Sequence, residues 1–375
     1  MPRKNWGFFM SVLSDAEYME MALLQAEKGR GTTRPNPLVG AIIVKQGEII
    51  GKGYHKKAGQ PHAEILAINK AGDNAKGSSL YLTLEPCCHT GRTGPCTDAI
   101  IKSGISRVVY AIKDPDPRVN GKGAKILRKA GIDVKSGILK KEALKQNDIF
   151  FGHNKNKKPY IILKLAQTLD GRIATSNGDS KWISSDLSRK FAHRLRSEVD
   201  AVIVGSSTVR TDNPLLTVRN FKGINPYRIV FSNNFNINPK CNLVTKNKDY
   251  KTILVGDKKN LDDVNKSIKK NNLIYWGLKS NKSTSVNMHD FLAQAYQFGI
   301  KSMLIEGGAT LATSFLKENL VDKCYFVIAP KLLGNGLNSI SDLKISKISN
   351  ALKLIDSSVN KSGEDFIISG YLNKG

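Results

Sequence analysis

His62-Ala63-Glu64, followed by Pro86-Cys87-Cys88 and Pro95-Cys96, supplies one imidazole, two well-spaced thiols and one carboxylate. Mixed nitrogen and sulfur donors suit zinc, and three protein ligands leave a fourth position open for water, the catalytic rather than the structural arrangement. Zinc lowers the pKa of its water towards ~7, so a nucleophile is available at neutral pH. Glu64 can stay off the metal, take a proton from that water, and deliver it to a ring nitrogen and a departing amine. The predicted chemistry is hydrolytic removal of an amino group from an amidine-like carbon, releasing ammonia. The competing reading is a closed structural site with Cys88 or His89 as fourth ligand, which would leave Glu64 without a task. Adjacent cysteines of an extended chain face opposite sides, so Cys87 is taken as the ligand and Cys88 as a packing or supporting thiol.

The elements that must hold these groups follow from periodicity and punctuation. Ser14-Asp15-Ala16-Glu17 is a capping box opening a helix that ends near Gly29. Residues 38–44 form an apolar run that reads as a buried strand, with a turn at Gln46-Gly47 and a returning strand over 49–54. A helix over 62–71 starts at the metal motif, and another over 96–103 starts at Cys96. Two helix N-termini converging on one site favour thiolates and an ionised water. Strands over 79–84, 107–112 and 133–136 and helices over 123–130 and 141–151 complete a layered α/β domain. Asn36, between Pro35 and Pro37 and directly before the first strand, offers a donor and an acceptor together, as a reader of a base edge must. An Asn that merely turns the chain fits the same position.

The boundaries expected are an extension over 1–12, a first domain over 13–151, a lysine-rich linker over 152–159 and a second α/β domain over 160–375. In the second domain strands are expected over 160–166, 200–205, 227–231, 252–255, 272–275 and 300–305, helices near 185–197 and 309–318, and closing strands at Lys323 to Ala329 and Asp365 to Tyr371.

A chain of 375 residues suits two domains with separate cores. Nothing approaches the ~18–20 apolar residues of a membrane span, and three of the five cysteines lie inside the motif, as in a reducing compartment. A cytoplasmic protein is expected. The net charge of +26 is mostly Lys spread over both halves, without a basic stripe interleaved with aromatics. This reads as solvated surface rather than a nucleic-acid footprint, and it would also favour a phosphorylated small substrate.

A His-x-Glu followed by Pro-Cys and a second Cys is the grammar of zinc base deaminases, except that eight residues separate Cys87 from Cys96 where those have two. The stretch from Thr83 to Cys96, Thr-Leu-Glu-Pro-Cys-Cys-His-Thr-Gly-Arg-Thr-Gly-Pro-Cys, closely resembles the deaminase half of the bifunctional riboflavin biosynthesis proteins, with Gly94 where that family has proline. The second half resembles the same family's reductase at Leu163 to Ala174, Ser180 to Ser184, Thr208 to Arg219 and Leu304 to Leu311.

This resemblance implies a cytidine-deaminase-like three-layer α/β/α domain followed by a dihydrofolate-reductase-like α/β domain. It implies zinc and NADPH as cofactors and a phosphoribosylaminopyrimidinone as the small-molecule substrate, with no nucleic-acid or membrane partner. A homo-oligomer is expected. The intermediate would lose a ring amino group and then have its ribosyl group reduced to ribityl. His89 and Arg92, in the loop between the cysteines, are placed at the ribose phosphate. By the same resemblance Ala166, Trp182, Thr208, Asp212, Asn233, Gly308, Ala309, Thr310, Leu311, Ala312, Thr313 and Ser314 line the dinucleotide. Ser180, Arg196, Leu216, Arg219 and Glu306 contact the sugar phosphate, the two arginines as phosphate forks. Glu306-Gly307-Gly308, between a strand and a helix, suits a pyrophosphate, whereas Asp170-Gly171 reads as turn chemistry. The alternatives are a tRNA or nucleotide deaminase with an unrelated second domain, and a nucleic-acid-binding module with structural zinc.

Overall fold

Alternation within short apolar runs builds the sheet of the first unit. In Gly40–Lys45 (β1), Ala41 and Ile43 point to one core and Ile42 and Val44 to another. Leu80 and Leu82 against Tyr81 in Ser79–Leu82 (β3), and Val108 and Tyr110 against Val109 in Arg107–Tyr110 (β4), repeat the division. A sheet buried on both faces needs helices on both. Asp15–Glu27 and Lys140–Gln146 cover the Ile42 side, while Ala63–Ala71, Cys96–Lys102 and Lys122–Lys129 cover the Ala41 side. With Glu48–Tyr54 (β2) and Asp133–Ser136 (β5), the order is β2-β1-β3-β4-β5; β1 runs antiparallel to β2 and β3, and β3, β4 and β5 run parallel. This is the expected three-layer α/β/α arrangement.

The computed structural model describes residues 13–90, 94–219, 221–249, 251–261, 272–280 and 286–373. The extension expected over 1–12 and the phosphate role expected of Arg92 fall outside them. The chain divides into two units, Met1–Lys155 and Asn156–Gly375. Where one helix is expected over 141–151, there are two, Lys140–Gln146 and Asp148–Asn156, and the second runs through the start of the expected linker. The break falls at Asn147, whose buried amide accepts from the Leu38 N–H at 2.8 Å and donates to the Leu38 carbonyl at 2.9 Å. Asn147 departs from helical geometry with φ −118° and ψ 27°, and its side chain ties the break to backbone 109 positions away.

The second unit is built on nine strands in the order β11-β10-β9-β8-β12-β6-β13-β16-β15. These are Tyr160–Thr168 (β6), Ala201–Gly205 (β8), Tyr227–Phe231 (β9), Thr252–Asp257 (β10), Leu273–Leu278 (β11), Ser302–Glu306 (β12), Lys323–Ala329 (β13), Leu354–Ser362 (β15) and Asp365–Leu372 (β16). Arg172–Ala174 (β7) and Leu337–Asn338 (β14) pair separately. The seven strands from β11 to β13 are parallel, so their carboxyl ends share one edge. Ile161, Leu163, Ile203, Ile229, Ile253, Met303 and Ile305 pack on Phe291 and Phe315 of the helices Met288–Gln297 and Ala309–Lys317. The helix Met288–Gln297 and the strands β7, β14 and β15 have no counterpart among the expected elements. In β15 almost every residue is exposed, so it carries no apolar alternation to betray it.

Candidate active sites in the two units

The first site is held where a helix lies directly on a strand. A Cβ added at Gly53 of β2 would sit 2.1 Å from the Ala63 carbonyl, and one at Gly51 would sit 2.4 Å from the Ala67 carbonyl. Only glycine permits so close an approach, and it seats the helix Ala63–Ala71 with His62 as its N-cap residue. Cys96 opens the helix Cys96–Lys102. His62 Nδ1 lies 3.2 Å from Cys96 Sγ and 3.5 Å from Cys87 Sγ, and the Cys96 backbone N–H donates to Cys87 Sγ at 3.4 Å.

These three donor atoms lie within 4.8 Å of one another, the sole such cluster of three or more His, Cys, Asp or Glu groups among the described residues. Tetrahedral zinc with bonds of ~2.0–2.3 Å needs its ligand atoms roughly 3.5–3.8 Å apart, so the donor set fits that ion with small adjustments. The Cys96 thiol's hydrogen bond and the His62 ring hold the Cys87 thiol well below its ordinary range, against the effect of burial. His62 is raised, first by its hydrogen bond with Cys87. Cys88 is turned away, its thiol 3.5 Å from the Arg118 carbonyl.

Glu64 is buried, with Oε2 out of reach of any hydrogen-bond partner. Burial, then the Cys87 thiolate, pushes its carboxyl up to about 7. Asn36 is held by a residue that the sequence reading passed over, His55. His55 is buried, its ring meets His62 edge-on at 5.4 Å, and its Nε2 lies 3.0 Å from Asn36 Nδ2. Burial and the neighbouring His62 depress the pKa of His55. Neutral His55 can donate from Nδ1 towards the Pro61 carbonyl, 3.5 Å away, and accept at Nε2 from the Asn36 amide. That network fixes the direction in which Asn36 points. The Nδ1 of His89 is buried without a partner.

The second site lies along the carboxyl edge of the parallel strands, where open α/β sheets bind ligands. Gly307 and Gly308 follow β12 with φ of 82° and 81°, the left-handed conformation that glycine adopts without strain. A Cβ at either would come within 3.4 Å of Thr208, which brings Thr208 onto this turn. The helix Ala309–Lys317 begins there with no side chain capping it, so its first N–H groups are open to an anion. Ala166 lies near the end of β6, and Asn233 follows β9 along the same edge. Leu311, Ala312 and Thr313 face the core, so only their backbone can serve a ligand. Ala309, Thr310 and Ser314 lie nearer the surface, and the Ser314 hydroxyl bonds back to the Thr310 carbonyl at 2.9 Å.

Arg196 and Glu306 meet as a fork, Nε to Oε1 at 2.6 Å and Nη2 to Oε2 at 2.8 Å, while Arg196 Nη1 donates to the Thr217 carbonyl at 3.2 Å. The guanidinium expected to grip phosphate thus spends its fork on a carboxylate. Arg219 is exposed, and its backbone N–H meets His193 Nδ1 at 3.1 Å. Leu216, buried, takes a positive φ of 54° one residue before the Thr217 carbonyl that binds Arg196. Lys164 pairs in register with Glu306 across β6 and β12. Burial lowers Lys164, with Glu306 opposing and Arg196 assisting. A lone lysine in the apolar run Tyr160–Thr168 is the signal in the sequence that marks this position. Trp182 is 65% exposed beneath the Arg189 guanidinium, 4.5 Å from its ring centroid, and its carbonyl accepts from Lys331 Nζ at 2.8 Å. Ser180 is half-buried, and Asp212 is exposed at the end of the helix Ser206–Asp212. The Asp170 carboxylate accepts from the Gly334 N–H at 2.7 Å and the Thr168 hydroxyl at 2.6 Å, in keeping with turn chemistry.

Residues 13–112 match the family model of the cytidine and deoxycytidylate deaminase zinc-binding region, and residues 159–368 match that of the RibD C-terminal domain. The riboflavin biosynthesis protein RibD of Aquifex aeolicus (strain VF5) is 46% identical over 355 residues, which are 94% of this chain and 97% of that protein. The chain belongs to the RibD family. RibD of Escherichia coli (strain K12) is 36% identical over 370 residues, 94% of this chain and 98% of its own length. The solved structure of Acinetobacter baumannii RibD, form 1, superposes with a TM-score of 0.81 at 34% identity, covering 96% of this chain and 99% of that one. A Thermotoga maritima diaminohydroxyphosphoribosylaminopyrimidine deaminase/5-amino-6-(5-phosphoribosylamino)uracil reductase gives 0.83 at 34% identity, with the same coverage.

Like its RibD relatives, the chain joins a deaminase half to a reductase half and serves riboflavin biosynthesis. The two halves point to a zinc ion in the first and a nicotinamide cofactor in the second. No helix among the described residues is long and apolar enough to cross a membrane.

Proposed function

We propose that the first unit deaminates 2,5-diamino-6-(5-phosphoribosylamino)pyrimidin-4-one and that the second reduces the ribosyl group of the product with NADPH. The observation that carries the first step is a buried carboxylate, Glu64, beside a cluster of three donors, His62, Cys87 and Cys96, that would hold zinc. Zinc bound there supplies a water that is nucleophilic near neutral pH. Glu64 would take one proton from the water and pass it to the ring nitrogen, then take the second from the hydroxyl now on the ring carbon and pass it to the departing amino group. The C–N bond breaks and ammonia leaves. Burial of the Glu64 carboxyl and the neighbouring Cys87 charge act in the direction that a proton carrier near neutral pH needs. Asn36, aimed by His55, reads the pyrimidine edge, and His89 and Arg92 receive the ribose phosphate.

NADPH supplies a hydride to C1 of the opened ribose. The Gly307–Gly308 turn and the helix start at Ala309 receive its pyrophosphate, with Thr208 beside them and Ala166, Trp182, Asp212 and Asn233 bordering the dinucleotide. Opening of a ribosylamine ring leaves a C1=N imine, so hydride addition at C1 would place the electron pair on that nitrogen, which gains a proton to give the ribitylamine. Lys164 and the Arg196–Glu306 pair lie together at that edge. Arg219, exposed where Arg196 is already engaged, is the better grip for the substrate phosphate, with Ser180 and Leu216 bordering it.

Glu64→Gln tests the first step. Ammonia release should fall by about 10²–10⁴-fold, while metal analysis shows zinc retained and the reductase still runs on deaminated substrate. Zinc loss, or deamination at the wild-type rate, would contradict the role of Glu64.

A further inference from the structure

We infer that Glu85 is a positioning residue for the zinc ligand Cys87: it pins the ligand-bearing turn onto the start of the helix Lys122–Lys129. This rests on the proposed reading that His62, Cys87 and Cys96 hold zinc. Glu85 is 2% exposed and touches none of the three donors in a way that would make it a fourth. Its Oε2 accepts from the Gly121 N–H at 2.9 Å and its Oε1 from the Ala124 N–H at 3.2 Å. Its own backbone N–H donates to the Ile112 carbonyl at 2.9 Å.

The helix Lys122–Lys129 has no cap of its own. Its N-cap residue is Gly121, and its first turn contains no acidic residue. A helix start left this way carries unpaired N–H groups and about half a positive charge. Glu85, 36 positions upstream of Gly121, supplies both the missing acceptors and the missing negative charge. The approach is close. A Cβ at Gly123 would lie 2.3 Å from the Pro86 carbonyl oxygen and 3.3 Å from Glu85 Oε1.

Cys87 is therefore gripped on two sides. On one, Glu85-Pro86 is bound to the helix Lys122–Lys129. On the other, the Cys87 carbonyl accepts from the Thr97 N–H at 3.2 Å and its thiol from the Cys96 N–H at 3.4 Å. The pin does a second thing. A carboxylate two residues from a ligand thiol is a competing oxygen donor, and the two backbone N–H groups keep it engaged elsewhere. A zinc held there would thus have His62, Cys87 and Cys96 as its protein ligands, with a fourth position left for water.

The test uses the full chain loaded with zinc, and separately with Co²⁺, whose visible thiolate-to-metal bands report ligand geometry. Partners that orient a metal ligand are typically worth ~10–100-fold in metal affinity. Glu85→Ala should release zinc to a chelator about 10–100-fold faster than wild type and shift the cobalt bands, with reductase turnover unchanged. Glu85→Gln keeps one acceptor oxygen and should fall between wild type and Glu85→Ala. Gly123→Ala keeps the Glu85 carboxylate but drives the helix start from Pro86 and Glu85, and should also shift the cobalt bands. If circular dichroism shows Glu85→Ala unfolded, the other two variants decide. Wild-type zinc release and an unchanged cobalt spectrum in folded variants would overturn the pin. A wild-type chain without cobalt–thiolate bands would instead overturn the ligand set.

Discussion

Two buried glutamates show how one side chain is set to opposite tasks. Around Glu64, burial and the Cys87 thiolate raise the carboxyl to about 7, and one oxygen has no partner. Burial also pushes Glu306 upward, but the charge and hydrogen bonds of Arg196, with Lys164 behind, outweigh it and hold the carboxyl below its ordinary value. Glu64 can therefore exchange protons near neutrality, whereas Glu306 stays ionised. The second case leads to a stability prediction. Removing one member of a buried, forked ion pair leaves the other charge unpaired, at a cost of ~3–5 kcal/mol. Arg196→Ala should weaken the second unit by that order in denaturant unfolding. Replacing both residues by apolar ones of similar volume should recover most of the loss. A single variant as stable as wild type would show that the pair is solvated. None of this geometry is visible in the sequence, because Arg196 and Glu306 are 110 positions apart.

At the scale of elements, glycines and polar clamps decide where chemistry sits. Gly51 and Gly53 let a helix lie on β2 and so deliver His62 and Glu64. On the opposite face, Asp15 in the first turn of Asp15–Glu27 receives Arg107 Nη1 at 2.8 Å and Nη2 at 2.9 Å, Lys135 Nζ at 2.9 Å and the Tyr81 hydroxyl at 2.9 Å. This clamp joins that helix to β3, β4 and β5. Arg107, above all, holds the Asp15 carboxyl well below its unperturbed 3.8, with Lys135 and Tyr81 assisting against partial burial. A carboxyl lowered by folding contributes stability that is complete above its unfolded pKa and fades as pH falls below it. The first unit should therefore lose stability below about pH 4, and Asp15→Asn should flatten that limb of the curve. Thermal unfolding followed from pH 7 to pH 3 checks this, and an identical acid limb in the variant would exclude the clamp. Most core strands and the motif helices were legible, because alternation and capping are local signals. The helix break at Asn147, the His55–Asn36 pair and the cap supplied by Glu85 were not, since each depends on a partner that only the fold brings near.

At the scale of the whole molecule, two units with separate cores carry two different chemistries in one RibD-family chain. The proposed deaminase ligands and Glu64 are suggested by residue type and spacing, and the fold brings His62, Cys87 and Cys96 together. The contacts proposed for the reductase are not legible from residue type and spacing, because a strand–glycine–helix turn is common; the fold places Ala166, Thr208, Asn233 and Gly308 along the carboxyl edge of seven parallel strands. The net charge of +26 suits a phosphorylated small molecule without specifying one. What joins the units functionally is the order of reaction: the second is proposed to act on what the first makes. The direct measurement is NADPH oxidation by wild type and Glu64→Gln, each given either the diamino phosphoribosyl pyrimidine or its deaminated product. Wild type should oxidise NADPH with both, and Glu64→Gln with the deaminated compound alone. Oxidation by Glu64→Gln at the wild-type rate on the diamino compound would contradict the proposed sequence of steps.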